Sequence, residues 1–176
     1  GSYLNEDYLG SNINTKYHEG LASFDNEGNM YISRESFYEN EYVKDPESNN
    51  ITSLIGIYKI TKGEKNVVAL NINSVEYSVK NPSVSSDGKT LYFSSDMPGG
   101  FGNFDIYKGD IDEQGNINNV ENLGQKVNTE GQEMFPFIGD KNNLYFSSDS
   151  QLGLGGLDVF FTKEVDGKWA SVRNVG

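Results

Sequence analysis

Leu91-Tyr92-Phe93-Ser94-Ser95-Asp96 returns as Leu144-Tyr145-Phe146-Ser147-Ser148-Asp149, and the interval of 53 residues between them governs the reading of the whole chain. The same shift carries Phe104-Asp105-Ile106-Tyr107 onto Leu157-Asp158-Val159-Phe160. Asn122-Leu123-Gly124 comes back as Asn174-Val175-Gly176, one residue closer, because the turn at 140–143 is shorter than its counterpart at 86–90. A fainter first copy runs through Phe24-Asp25-Asn26-Glu27-Gly28-Asn29-Met30-Tyr31-Ile32-Ser33 and Gly56-Ile57-Tyr58-Lys59, with extra residues at 36–52. Self-similarity at a fixed period of this length marks a repeat architecture.

The repeated runs are rich in β-branched and aromatic residues, and no stretch of ten or more shows a convincing 3.6-residue period. Between them lie 20 Gly and 21 Asn, turn formers that favour many short strands. In the second unit the strands are expected at about 82–86, 90–95, 104–110 and 116–122. Four antiparallel strands in some 50 residues make a β-propeller blade, a small twisted sheet that must stack on neighbours to cover its faces. The chain therefore reads as all-β: residues 14–78 form a first blade with an insertion at 36–52, 79–131 a second, and 132–176 a third that stops mid-pattern. Residues 3–13 are ambiguous between a helical turn and an added strand, and Gly1-Ser2 looks like the scar of tag cleavage. An incomplete propeller leaves an apolar face at each end unless other residues cover it, so self-association is expected.

Composition excludes several function classes. Lys and Arg number 14 against 26 Asp and Glu, a formal charge of −12, which argues against nucleic acid or anionic lipid as a partner. No apolar stretch is long enough to span a bilayer, so direct membrane insertion is not expected. The absence of cysteine removes disulfides, thiol catalysis and Cys-ligated zinc.

Ser85-Ser86-Asp87-Gly88-Lys89-Thr90-Leu91-Tyr92-Phe93-Ser94-Ser95-Asp96, followed by Gly102-Asn103-Phe104-Asp105-Ile106-Tyr107, resembles the TolB-type β-propeller repeat. The phrases at 14–20, 96–102, 128–137 and 153–158 are similar to the propeller segment of Bacteroidetes OmpA-family outer-membrane proteins. In that family a propeller precedes a C-terminal peptidoglycan-binding domain, and some members serve type IX secretion and gliding. The resemblance covers residues 12–176 and implies a periplasmic, outer-membrane-associated protein with an envelope protein as partner.

Residues able to carry chemistry are few. His18, the single histidine, aligns with Gln132 in the third unit and reads as structural. Asp96 and Asp105, and again Asp149 and Asp158, flank Gly-rich loops, and such carboxylates suit Ca²⁺, a hard cation that prefers oxygen ligands. Their repetition equally suits turn capping, with glycines supplying positive φ. Carboxylates for a glycosidase pair are plentiful, but nothing singles out two. Ser94-Ser95 and Ser147-Ser148 lack a base and a nucleophile elbow. Trp169 stands where an outer strand begins and reads as a seal on the blade edge. The insertion at 36–52, with Phe37, Tyr38 and Tyr42 among acidic residues, is read as a surface loop and a candidate interaction element. The expectation is a non-catalytic protein-interaction scaffold with no obligate cofactor. The alternatives are a glycosidase propeller, a peptidase-associated propeller, and a calcium- or glycan-binding adhesion module.

Overall fold

The computed structural model describes residues 19–35, 43–44, 51–153 and 155–176. Fifteen strands make up nearly all of its regular structure: β1 (Glu19–Phe24), β2 (Met30–Glu35), β3 (Val43–Lys44), β4 (Ile51–Thr52), β5 (Ile55–Ile60), β6 (Val67–Ala69), β7 (Val79–Val84), β8 (Thr90–Ser95), β9 (Asp105–Ile111), β10 (Ile117–Asn122), β11 (Glu133–Gly139), β12 (Asn143–Ser148), β13 (Asp158–Val165), β14 (Lys168–Trp169) and β15 (Arg173–Asn174). A single 3₁₀ turn, Asp140–Asn142, is the only helical element among the described residues.

Three antiparallel sheets of propeller-blade type follow one another. The first runs β1-β2-β5-β6 and the second β7-β8-β9-β10. The third runs β11-β12-β13-β14, with β15 also paired to β13. Inside the insertion β3 and β4 pair as a short ladder of their own. Phe37, Tyr38 and Tyr42 lie outside the described residues, as do His18 and residues 3–13.

Alternation along each strand builds two cores. Leu91 and Phe93 point back from β8 to join Tyr31, Ile57, Leu70 and Val84 between the first and second sheets. Tyr92, on the opposite face of the same strand, joins Ile106, Leu144, Phe146, Phe160 and Trp169 between the second and third. The ring of Trp169 meets Tyr92 edge-on at 6.3 Å, so it closes the seam between two sheets. Met30, Ile32, Tyr58 and Ile60 form a third cluster on the outer face of the first sheet, and all four are buried. An apolar face was expected at each end of the stack unless other residues cover it; at this end these four side chains are buried, while Phe24, paired with Met30, is exposed.

The inner strand of the second sheet begins earlier than expected, at Val79, and ends at Val84, because Ser85–Gly88 close a turn immediately after it. Within that strand the register slips between Lys80 and Ser83, and in β11 it slips between Met134 and Phe137. Both slips contain a residue at positive φ before a proline, Asn81 (φ 55°) and Phe135 (φ 55°), and a bulge is where an inner strand tolerates a proline that cannot donate. Asn accepts this backbone region far more readily than Phe. Phe135→Asn is therefore expected to stabilise the chain by about 1 kcal/mol, read from the urea unfolding midpoint. A loss of stability would mean that the Phe135 ring contributes more by packing than its backbone costs.

Candidate functional site

The aspartates that flank the Gly-rich loops are engaged as acceptors. Asp96 accepts the Ser78 N–H at 2.7 Å, and Asp149, one repeat later, accepts the Gln132 N–H at 2.8 Å. Asp105 is buried and accepts from Phe101 N–H (2.6 Å), Gly102 N–H (3.1 Å) and the Asn122 carboxamide (2.8 Å). Asp158 is half-buried and sits against Gly153. Asp96, Asp105 and Asp149 thus have donors around them that a cation would have to displace. Among the described residues no three His, Cys, Asp or Glu side chains gather as a metal-holding group.

Hydrogen bonds sequence reasoning did not anticipate tie the sheets together. The Asn73 carboxamide pairs with both backbone groups of Ile57, accepting its N–H at 2.8 Å and donating to its carbonyl at 2.9 Å. Asn128 does the same to Ile106, at 2.8 and 2.9 Å. In each case the segment entering one sheet is clamped onto the third strand of the sheet before it. Just beyond Asn128, the buried Glu133 accepts from Thr129 N–H and Thr129 Oγ1 at 2.8 and 2.7 Å, and from Ser148 Oγ at 2.6 Å. Ser95 Oγ donates to the Ser78 carbonyl at 2.7 Å, so Ser95 and Ser148, the second serine of each repeated pair, serve these junctions.

Backbone packing at the same junction is close. Asn103 N–H reaches the Gly131 carbonyl at 2.8 Å, and Glu133 N–H reaches that of Phe104 at 2.7 Å. A methyl group at Gly102 would collide with the carbonyl oxygens of Gly131 and Thr129, both fixed main-chain atoms. Gly102→Ala should cost about 2 kcal/mol by overpacking, measured by urea unfolding; an unchanged midpoint would show that the loop yields freely.

Chemistry of a different kind lies on the far face of the third sheet. Phe137, Tyr145 and Phe161 stand side by side on β11, β12 and β13, with ring centroids 6.4 and 5.1 Å apart. Phe137 is 62% exposed, Tyr145 37%, and the neighbouring Val159 and Val175 are 42% and 54% exposed. The corresponding face of the second sheet, carrying Tyr92 and Ile106, is buried under the third. Among the described residues this is the one sheet face that combines contiguous aromatic rings with substantial exposure. A cleft between the first two sheets is lined by Arg34, Glu35 and Lys80 among others. Lys80 lies 3.4 Å from the centre of the Phe104 ring, and burial holds its pKa below the ordinary lysine value, against the opposing pull of Asp96.

The chain resembles solved β-propellers. A protein described as TolB from Agrobacterium tumefaciens matches over 92% of this chain and 63% of its own, with 18% identity and a TM-score of 0.51. A puromycin-hydrolysing peptidase of Mycobacterium tuberculosis matches over 91% of this chain and 23% of its own, with 12% identity and a TM-score of 0.51. This chain therefore spans less than two thirds of either neighbour, and identities this low establish a TolB-like propeller fold alone. No family model and no curated protein matches it. No helix among the described residues is long and apolar enough to cross a membrane.

Proposed function

We propose that this propeller segment is a non-catalytic protein-interaction scaffold of a cell-envelope assembly. The observation that carries the reading is the open aromatic face of Phe137, Tyr145 and Phe161, a contiguous apolar surface of the kind that marks interaction sites. The polar groups at the sheet junctions support it, since Asp96, Asp105, Asp149, Asn73, Asn128 and Glu133 hold backbone groups in place. The resemblance of the repeat to Bacteroidetes OmpA-family proteins extends the proposal to a periplasmic, outer-membrane-associated location. It also extends it to the peptidoglycan-anchored or type IX secretion and gliding machinery.

A photo-crosslinking amino acid placed at Phe137 in the protein as produced by its own cells tests this. Adducts in the envelope fraction, absent when the probe is moved to the exposed Gly63 turn, are expected. Adducts confined to the cytoplasmic fraction, or no more than at Gly63, would overturn the proposal. So would hydrolysis of chromogenic glycosides or peptides abolished by substituting one carboxylate.

A further inference from the structure

The register of the three sheets superimposes their faces position by position. Ser23, Ser83 and Phe137 are equivalent, each opposite the repeated tyrosine Tyr31, Tyr92 or Tyr145. Lys59, Lys108 and Phe161 are equivalent in the same way on the third strands. On the two covered faces these positions are polar and used. Ser23 Oγ accepts the Val84 N–H of the next sheet at 2.9 Å, and Ser83 Oγ accepts the Ile138 N–H at 3.0 Å. Lys108 reaches across to Glu164 of the next sheet at 2.9 Å. The open face has phenylalanine at both positions. Another sheet of this repeat placed there would bury an inner-strand N–H without the hydroxyl acceptor that Ser23 and Ser83 supply at the two covered junctions.

Charge narrows the occupant. Alternation on β13 puts Lys163 on the same side as Val159 and Phe161, while cross-strand pairing adds Lys168 opposite Val165 and Arg173 opposite Phe161. No strand position on that side carries a carboxylate, although the chain holds 26 acidic residues against 14 basic ones. The carboxylates of these strands, Glu133, Asp158 and Glu164, fall on the opposite face by alternation, and Asp140 and Asp166 lie in turns at the strand ends. A second copy set face to face would bring like charges together around the rings, which opposes pairing. The geometry points to an acidic polypeptide surface with an apolar centre as the occupant of this face. Its apolar side chains lie over the Phe137–Tyr145–Phe161 ladder and its carboxylates oppose Lys163, Lys168 and Arg173. This inference rests on the scaffold reading and specifies the partner's chemistry.

The test uses the full chain and two labelled synthetic peptides, one alternating Glu and Leu, the other Lys and Leu, followed by fluorescence anisotropy. The acidic peptide is expected to bind, and the basic one is not. Reversing Lys163, Lys168 and Arg173 to Glu together should weaken binding at least about tenfold, as should Phe137→Ser with Phe161→Ser. Phe137, Lys168 and Arg173 are exposed and Lys163 and Phe161 half-buried, and unchanged circular dichroism and melting would certify the fold of each variant. Equal binding of both peptides, or binding that survives charge reversal, would overturn the inference. A dimer in light scattering that Phe137→Ser converts to monomer would name a second copy as the occupant instead. Capture by phosphatidylglycerol vesicles without peptide binding would name a lipid surface. Binding of neither peptide while crosslinking at Phe137 persists would remove this partner chemistry and leave the scaffold reading standing.

Discussion

Asn128→Ala is expected to lower the unfolding free energy by about 3 kcal/mol, because one buried carboxamide completes the edge of a strand. Its Oδ1 accepts the Ile106 N–H, and its Nδ2 donates to the Ile106 carbonyl and to Asn122 Oδ1. The carbonyl keeps a second donor, the Leu123 N–H at 3.1 Å, so truncation orphans mainly the N–H. An unsatisfied buried N–H costs roughly 1–3 kcal/mol, and the remaining lost bonds add about 1 kcal/mol each before relaxation. The effect should reach beyond one sheet, since Asn128 anchors the segment entering the third sheet onto the second. Loss of protection at the Ile106 and Ile138 amides in hydrogen exchange, together, is the expected local signature. Asn116→Ala is the control: its side chain bonds Asp112 in an exposed turn, and the change should stay within about 0.5 kcal/mol. If Asn128→Ala matched that control, the clamp would be incidental to the fold.

How much of this is legible in sequence follows from which contacts repeat at fixed spacing. Tyr92 and Tyr145 hold the same point of their second strands, Tyr92 buried in a junction and Tyr145 on the open face, so the 53-residue shift exposes the architecture directly. Asn73 and Asn128 are hidden because they follow their landmark residues, Leu70 and Leu123, by unequal distances, and asparagine in a connection reads as a turn former. The aspartates are visible as repeated, but capping and metal binding call for the same residue types, and only the N–H groups around Asp96, Asp105 and Asp149 show the use made of them. The open face escapes a sequence reading for a geometric reason. Phe137 aligns with Ser83 only after the inner strands are offset by one further residue, and phenylalanines in these runs otherwise look like ordinary packing between blades. For Phe37, Tyr38 and Tyr42 the sequence argument stands by itself, as they lie outside the described residues.

The largest pH effect is expected on the alkaline side, where stability should fall by about 5 kcal/mol between pH 10 and 12. Burial is the main force pushing the Tyr31 hydroxyl up to about 12, with Asp25 and Glu27 adding to it. Tyr92 is likewise pushed up to about 12 by burial, partly offset by the Lys108 ammonium. An unfolded tyrosine ionises near 10, so between roughly pH 10 and 12 the unfolded chain has released protons that the native chain still holds, and rising pH favours unfolding. Two units on each of two groups amount to about 2–3 kcal/mol apiece. Lys108 acts in the same direction. Burial alone would lower its pKa, but bonds to Glu164 and Glu121 outweigh that and raise it, so its pairing contributes fully below the unfolded value and is lost as pH climbs through the folded one. Urea midpoints measured from pH 9 to 12, with phenolate absorbance followed in parallel, read this directly. Tyr92→Phe should remove about half of the alkaline fall, and Tyr31→Phe with Tyr92→Phe most of it. The account fails if the native chain shows all of its phenolates forming near pH 10, or if the double variant loses stability along the same curve as the parent.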